Sequence, residues 1–84
     1  MYFVYLARCA DNSLYCGITN NLEKRIKEHN SLGPKGAKYL RGKKPVSLVF
    51  SEKHASKKSA MQREAEIKTW PKSKKEALTT KTIQ

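Results

Sequence analysis

The chain has 84 residues and a mass of 9.6 kDa, with 18 lysines and arginines against 7 aspartates and glutamates, so its formal net charge is +11. A chain of this length forms one domain with a modest core, which excludes a second lobe, a deep cofactor cleft or a large doubly wound sheet. Hydrophobic residues make up 38% of the chain and cluster in short runs, which argues against disorder throughout. We expect a single domain over residues 1–79 and a frayed tail over residues 80–84.

Two apolar segments near the N-terminus predict a β-hairpin. Residues 2–8 are apolar or aromatic at nearly every position, and residues 14–18 are similar. The polar and small residues 10–13 lie between them and suit a turn.

A capping pattern, a loop and a third strand follow. Asn20, with Glu23 three residues later, predicts the start of a helix that ends near Asn30. Residues 31–45 hold three glycines and two prolines, so we expect a long loop there. The apolar residues 45–50 predict a third strand.

Two further helices are predicted in the C-terminal part of the chain. Ser56 suits the cap of a helix that continues through Trp70 and is stopped by Pro71. Ser73 and Glu76 form a capping box for a short third helix. The predicted order is ββαβαα, an α+β fold in which a three-stranded antiparallel sheet is flanked by helices.

The positive charge is concentrated in the second half of the chain. Residues 1–34 carry a net charge of 4 − 3 = +1, and residues 35–84 carry 14 − 4 = +10. Such an excess attracts polyanions, so nucleic acid is the leading partner; the alternative is a lysine-rich solubilising surface. An anionic membrane surface is disfavoured because the lysine-rich stretches lack an apolar face. The predicted nucleic-acid contacts in the loop are Lys35, Lys38, Tyr39, Arg41, Lys43 and Lys44.

The N-terminal segment does not match a secretion signal. It has no basic leader, and its apolar run is cut short by Arg8 and Asp11. No run approaches the roughly 20 apolar residues of a membrane span. We therefore expect a cytoplasmic protein, a monomer by default, in which Cys9 and Cys16 are buried free thiols; a cross-strand disulfide is the alternative.

Glu64 falls on the apolar side of the second predicted helix. At 100° per residue, Ala60, Glu64 and Ile67 share one narrow sector, while Glu66 points away. A buried unpaired charge is costly, so Glu64 must pair with a cation, bind a metal or lie at the rim of the core. From the helix alone, a salt bridge to a lysine or arginine is the favoured alternative.

The first predicted helix and the hairpin offer further polar groups. Arg25 and His29 lie four residues apart and can share a face of the helix. Arg25 could bind phosphate oxygens and His29 could transfer a proton. Alternatively, Arg25 lies over the core with its charge in solvent and His29 caps the end of the helix. Tyr5 and Tyr15 lie on adjacent predicted strands, where core packing explains most such pairs. Gly17 in a strand indicates that another group approaches the backbone closely.

Taken together, these residues resemble the GIY-YIG nuclease superfamily, in its small single-domain UPF0213-like form. The resemblance covers nearly the whole chain, and its motifs occur in the family's order and at its distances. The matching segments are residues 3–5 and 15–17 for the two triplets, residues 21–30 for the helix with Arg25 and His29, residues 36–50 for the middle segment, and residues 60–68 for the segment with Glu64.

The resemblance implies the sheet-and-helix fold already described and hydrolysis of phosphodiesters, in DNA more than RNA and with a link to DNA repair. It implies a divalent metal, Mg²⁺ or Mn²⁺. Carried over residue by residue, it makes Tyr5 the general base or its relay, Tyr15 the hydrogen-bonded partner, Arg25 the phosphate clamp, His29 an auxiliary and Glu64 the metal ligand. We then expect these groups to converge around one solvent-reachable hollow.

Two other classes of function compete with the nuclease. The superfamily often carries a late Asn, and no Asn follows Trp70 here, which favours a nucleic-acid-binding module with little or no catalysis. A domain that only docks on a partner protein is the third hypothesis. Lys38, Tyr39 and Arg41 combine an aromatic platform with cations, as single-strand binders do; alternatively, Tyr39 folds back onto the sheet.

Overall fold

Six elements make up the part of the chain that the structure, a computed structural model, describes, which is residues 1–30 and 45–80. They are β1 (Tyr2–Arg8), β2 (Leu14–Thr19), α1 (Leu22–Asn30), β3 (Ser47–His54), α2 (Lys57–Lys68) and α3 (Lys72–Thr79). The strands form one antiparallel sheet in the order β2-β1-β3. The predicted α+β fold and its ββαβαα order are confirmed.

Strand β1 occupies the centre of the sheet and has a core on each side. Successive side chains of a strand point to opposite faces. Val4 and Leu6 therefore contribute to one core, and Tyr5 and Ala7 contribute to the other. Burial on both faces explains why β1 is apolar at nearly every position rather than alternating.

The two cores divide the helices between the faces of the sheet. On the α1 face, Leu22 and Ile26 of α1 pack against the core of Tyr5, Ala7, Cys9 and Val46. On the α2 face, helices α2 and α3 contribute to a second core. Its buried members are Val4, Leu6, Cys16, Phe50, Ala60, Ile67 and Leu78. Cys9 and Cys16 are buried free thiols, as predicted, and they lie in the cores on opposite faces of the sheet.

The predicted hairpin is confirmed, with a tight turn between β1 and β2. Asn12 has a φ of 71°, a left-handed conformation that Asn adopts more readily than most residues. Two backbone hydrogen bonds close the turn, from Cys9 N to the Ser13 carbonyl and from Asn12 N to the Cys9 carbonyl, both at 2.8 Å.

The first helix begins one residue later than the capping pattern predicts. The cap is Asn21 rather than Asn20, because the Asn21 Oδ1 accepts a hydrogen bond from the backbone N–H of Lys24 at 3.0 Å. The Asn21 backbone N–H in turn donates to Thr19 Oγ1 at 3.1 Å. This bond fixes the chain between β2 and α1 and leaves Asn20 in the turn.

The predicted bounds of three later elements are wrong. Strand β3 runs beyond Phe50 to His54, because its pairing with β1 continues to the Tyr2–His54 pair. Helix α2 starts at its predicted cap Ser56 but ends at Lys68, before Trp70. Helix α3 begins after Pro71 and has no side-chain cap, so the predicted capping box lies inside the helix.

Several predictions fall on residues that the structure does not describe. They include the loop of residues 31–44, with all of its predicted nucleic-acid contacts, and residues 81–84 of the predicted tail. Among the described residues, no helix is long and apolar enough to cross a membrane.

Candidate functional site

Three rings meet on the α1 face of the sheet. The Tyr5 hydroxyl lies 2.8 Å from His29 Nε2, and both side chains are fully buried. The Tyr15 ring packs edge-on against the His29 ring, with centroids 5.4 Å apart, and its centroid lies 6.3 Å from that of Tyr5. The structure therefore joins the two phenols of the hairpin to the imidazole of α1.

Gly17 makes room for this cluster. It lies opposite Tyr5 in the pairing of β1 with β2. A Cβ atom at this position would lie 2.7 Å from the Tyr5 hydroxyl oxygen, 2.8 Å from Tyr5 Cζ and 3.0 Å from Tyr15 Cε2. The absence of a side chain at Gly17 is therefore what lets the Tyr5 ring lie across β2 and reach His29.

Burial keeps the phenol and the imidazole neutral. Burial, and then the neighbouring Tyr15, raise the pKa of Tyr5 to about 12, against a smaller lowering by Arg25. Burial, and then the charge of Arg25, lower the pKa of His29 below its ordinary value. At neutral pH both rings are uncharged, so the pair is a neutral hydrogen-bonded couple.

Arg25 borders this pair. Its guanidinium lies beside the Tyr5 hydroxyl and lowers the pKa of that phenol, against the larger effect of burial. Because an arginine has donors only, the phenol oxygen can face Arg25 while the phenol proton points to His29 Nε2. Arg25 also forms an ion pair with Glu28, with Nη1 3.0 Å from Oε1 and the arginine side chain 30% exposed. The guanidinium is thus paired with Glu28, lies near Tyr5 and still reaches solvent.

An open groove lies beside Arg25, where β2 ends and α1 begins. Its volume is about 480 Å³. The groove carries three cations, Lys24, Arg25 and Lys57, against the single acid Glu28. Its remaining lining residues are Tyr2, Ile18, Thr19, Asn20 and Asn21. A groove of this composition suits an anionic group.

Glu64 lies on α2, on the other face of the sheet. Its neighbours on the helix surface, Ala60 and Ile67, are fully buried, whereas the Glu64 side chain is 21% exposed. Its Oε2 is 3.1 Å from Lys68 Nζ. The Glu64 charge also acts on the Cys16 thiol, whose pKa rises to about 11 mainly through burial and then through Glu64. Glu64 thus lies at the rim of the core beside β2 and pairs with a lysine.

Glu64 does not belong to the ring cluster that the other candidate groups form. Tyr5, Tyr15, Arg25 and His29 come together on the α1 face, but Glu64 belongs to a helix that packs on the α2 face. The reason is the alternation of β2, whose Tyr15 and Cys16 point to opposite faces. The two groups approach each other around β2, the edge strand of the sheet, where Lys68 lies within electrostatic reach of both Tyr15 and Cys16.

The donors for a metal are few. Among the described residues, no group of three or more His, Cys, Asp or Glu side chains is arranged to hold a metal ion. Glu64 nevertheless fits a magnesium ion, which keeps most of its waters and takes one or two carboxylates plus substrate oxygens. Its carboxylate is partly exposed, and its partner Lys68 is an exposed residue of the same helix.

Sequence reasoning missed two partners of the candidate site. Glu28 pairs with Arg25 three residues earlier, and Lys68 pairs with Glu64 four residues earlier. Both spacings are those at which oppositely charged side chains meet on a helix, so the signal was present in the sequence. The direct contact of Tyr5 with His29 had no such local signal, because the residues are separated by 24 positions.

Comparison with known proteins identifies the family. Residues 1–77 match the family model of the GIY-YIG catalytic domain. The chain is 51% identical over 77 residues to a UPF0213 protein of Natronomonas pharaonis, covering 92% of this chain and 88% of that one. It is 49% identical over 75 residues to a UPF0213 protein of Bacillus pumilus, covering 89% and 74% of the two chains.

A solved structure shares both fold and sequence with the chain. The solution NMR structure of a UPF0213 protein from Bacillus halodurans matches with a TM-score of 0.61 and 42% identity, covering 98% of this chain and 86% of that one. The family match, the curated relatives and the fold agree. The chain therefore belongs to the GIY-YIG family, in its small UPF0213 group.

Proposed function

We propose that the protein is a metal-dependent nuclease that hydrolyses phosphodiester bonds of DNA. The observation that carries the proposal is the cluster on the α1 face, where a buried phenol bonded to an imidazole lies beside Arg25 at the edge of an open cationic groove. Membership of the GIY-YIG family supports a nuclease activity. The net charge of +11 supports an anionic polymer as the substrate.

Arg25 is the residue proposed to bind the scissile phosphate. A guanidinium presents a planar fork of donors that matches two phosphate oxygens. Arg25 is pre-positioned by its ion pair with Glu28, so it has less freedom to lose when the substrate binds. It offsets the negative charge that develops on the phosphate in the transition state, an effect for which one donor is worth about 10²–10³ in rate.

The two phenols have different roles in this proposal. Tyr5 is 1% exposed and its pKa is about 12, so ionising it at neutral pH costs about 7 kcal/mol. It therefore acts as a positioning residue for Arg25 and His29 rather than as a base in direct contact with water. Tyr15 is only partly buried and lies on the edge strand, so it is the phenol that can face the substrate.

Glu64 is proposed to hold the divalent metal, Mg²⁺ or Mn²⁺. When bound, such an ion polarises a phosphate oxygen and stabilises the leaving oxygen. For one phosphodiester to meet both Arg25 and Glu64, the DNA backbone must pass along the outer edge of β2. This strand has no neighbour on its outer side within the described sheet, so a nucleic-acid strand has access there.

A nucleic-acid-binding module on the same scaffold is the second candidate. It is favoured by the position of Glu64, which lies on the opposite face from the phenols and is already paired with Lys68. A binding module requires the cations but does not require Arg25 and Glu64 to act on the same phosphate.

An incubation of the protein with labelled DNA separates the two candidates. Single-stranded, duplex and flapped substrates, each with a matching RNA, are incubated with Mg²⁺ or Mn²⁺ and with EDTA as the metal-free control. The proposal expects strand breaks in DNA that require the metal. If every substrate is bound but none is cut at any metal concentration, the binding module is the correct function.

A further inference from the structure

The ion pair of Glu64 with Lys68 occupies the one carboxylate to which the proposed function assigns the metal. Lys68 Nζ is 3.1 Å from Glu64 Oε2. Glu64 is the N-terminal member of the pair, which is the favourable order for a glutamate and a lysine four residues apart on a helix. The lysine therefore provides the positive charge that the carboxylate requires at the rim of the core.

Further cations lie near the same carboxylate. Glu64, Lys68, Lys75 and Arg63 all act electrostatically on the Cys16 thiol, so their charges lie around one position of β2. Arg63 is engaged with Glu52 and Glu66, at 3.2 and 3.0 Å. Among the described residues, Lys68 is the cation in direct ion-pair contact with Glu64.

Lys68 also lies close to the proposed path of the substrate. Its ammonium is within electrostatic reach of Tyr15, the phenol of the α1-face cluster that lies on the edge strand. Its side chain is 53% exposed and carries four methylene groups, so its ammonium can move several ångströms without any change in the backbone.

We propose that Lys68 competes with the divalent metal for the Glu64 carboxylate, and that the ammonium released by metal binding contacts a substrate phosphate beside Tyr15. The inference rests on the proposed role of Glu64 as the metal ligand. It assigns to Lys68 a role in both states of the site, as the partner of the carboxylate without metal and as a phosphate donor with metal.

The energies of the two contacts permit this exchange. Ion pairs between residues four positions apart on a helix surface are weak, so a metal ion displaces the lysine at small cost. A dication beside the carboxylate also repels the ammonium. The repelled ammonium lies next to the edge strand, where a phosphate offers it a new partner.

A Mn²⁺ titration tests the competition directly, without measuring cleavage. Mn²⁺ broadens the amide NMR signals of residues near its binding site, so the signals around Glu64 report its occupancy. Lys68→Met removes the charge and keeps the apolar stem. We expect Lys68→Met to bind Mn²⁺ about two- to tenfold more tightly than the wild type, because a weak competing ion pair and a charge that repels the metal are both removed.

Lys58→Met is the matched control on the same helix. Lys58 is exposed, and no ion pair joins it to Glu64 among the described residues. This variant loses the same charge elsewhere on α2, so its Mn²⁺ affinity should stay within twofold of the wild-type value. Glu64→Gln should abolish the broadening around position 64 in all backgrounds.

A binding measurement tests the second half of the inference. Affinity for a phosphorothioate oligonucleotide, which resists hydrolysis, is measured with Mg²⁺ and with EDTA. We expect Mg²⁺ to increase the affinity of the wild type and of Lys58→Met. The factor by which Mg²⁺ increases the affinity of Lys68→Met should be at least twofold smaller. An equal gain in all three proteins would contradict the phosphate contact.

The outcomes distinguish the inference from the function on which it rests. If Glu64-dependent Mn²⁺ binding is seen but is equal in the wild type and Lys68→Met, Lys68 does not compete and the inference is wrong, while the metal role of Glu64 stands. If no variant shows Glu64-dependent Mn²⁺ binding, the metal role itself fails and the inference fails with it.

Discussion

At the scale of single residues, Gly17 and Tyr5 determine whether the ring cluster can form. Replacing Gly17 with Ala puts a methyl group 2.7 Å from the Tyr5 hydroxyl oxygen. Contacts this short force side chains or backbone to move. We expect Gly17→Ala to lower the free energy of unfolding by about 1–3 kcal/mol, as over-packing of a core does, measured by urea unfolding.

The Tyr5→Phe variant provides the control for this prediction. It removes the atom nearest to the new methyl group but leaves Tyr5 Cζ at 2.8 Å, so it should relieve only part of the clash. In a double-mutant cycle, Gly17→Ala should therefore destabilise the Tyr5→Phe protein less than the wild type. An equal loss in both backgrounds would contradict the assigned position of the Tyr5 hydroxyl.

His29 should make the stability of the protein depend on pH. Burial, and then the charge of Arg25, lower its pKa in the folded state. Below its ordinary pKa of about 6.5, the unfolded chain binds a proton that the folded chain resists. We therefore expect the free energy of unfolding to decrease from pH 7.5 to 5.5, with a slope of at most about 1.4 kcal/mol per pH unit for this one group.

Two substitutions isolate this effect. His29→Gln has no titrating group at this position, so its stability should vary less over the same pH range than that of the wild type. The second is the double variant Tyr5→Phe with His29→Gln, which also removes the phenol bonded to the imidazole and should show the same weak dependence on pH as His29→Gln alone. If His29→Gln and the wild type lose stability in parallel, the pKa of His29 is not lowered by folding.

At the scale of elements, Asn30 joins the end of α1 to the start of β3. Its Nδ2 donates to the Val46 carbonyl at 3.1 Å, and its Oδ1 accepts from the Val46 N–H at 2.7 Å. Val46 is buried, so its backbone groups have little access to water once the asparagine is removed. We expect Asn30→Ala to reduce the free energy of unfolding by about 1–3 kcal/mol in urea unfolding.

Asn30→Asp is the comparison for this variant. The carboxylate keeps an acceptor for the Val46 N–H, but its second oxygen faces the Val46 carbonyl and its charge lies at the C-terminal end of α1. Asn30→Asp should therefore not recover the stability lost in Asn30→Ala. Should Asn30→Ala unfold at the wild-type urea concentration, the two hydrogen bonds do not fix the approach of β3 to α1.

The strands and helices were predictable where apolar patterning and caps agree. Strand β1 matches its predicted bounds because both of its faces are buried and its apolar run ends where the strand ends. Strand β3 was predicted too short because its last residues, Ser51 to His54, are mostly polar. They pair with β1 at the edge of the sheet through backbone hydrogen bonds. Such bonds do not require apolar side chains, so the hydrophobic pattern of the sequence does not reveal them.

The candidate site was predictable in its residue types but not in its arrangement. The sequence predicts that Arg25 and His29 share a face of α1, and that Glu64 lies on the apolar side of α2. Both predictions follow from helical periodicity, which determines which side chains are neighbours. The burial of His29 and its bond to Tyr5 depend on how α1 packs on the sheet. The position of Glu64 on the opposite face from the phenols depends on the alternation of β2 and on the packing of α2 against it.

At the scale of the whole molecule, the excess of positive charge should dominate binding to nucleic acid. Each phosphate neutralised by a lysine or arginine releases condensed counterions. The affinity for single-stranded DNA should therefore decrease linearly with salt on logarithmic axes, with a slope of about −0.7 for each phosphate contacted. Fluorescence anisotropy at several salt concentrations measures this slope, and an affinity that does not change with ionic strength would contradict a polyanion partner.

The predicted contacts of the basic loop can be tested in the same experiment. Lys38 and Arg41 belong to the stretch of residues 35–44, which contains five cations and no acid. Removing either charge should reduce the magnitude of the salt slope by the amount that corresponds to one phosphate contact. Lys53→Ala, at the β3 edge across the sheet from β2, serves as the matched control and should leave the slope unchanged.

The proposed function requires that residues on the two faces of the sheet act on one phosphodiester at the edge of β2. Arg25 and the ring cluster approach this edge from one side, and Glu64 approaches it from the other. Glu66 offers a matched comparison, because it is a glutamate of the same helix that is 58% exposed and bonded to Arg63.

The most direct test measures cleavage and binding of one labelled DNA in the same samples, with Mg²⁺ or Mn²⁺, for the wild type, Glu64→Gln and Glu66→Gln. We predict metal-dependent cleavage by the wild type and by Glu66→Gln, and loss of cleavage with retained binding in Glu64→Gln. Cleavage by Glu64→Gln at the wild-type rate, or no cleavage by any of the three proteins, would contradict a metal-dependent nuclease site at Glu64.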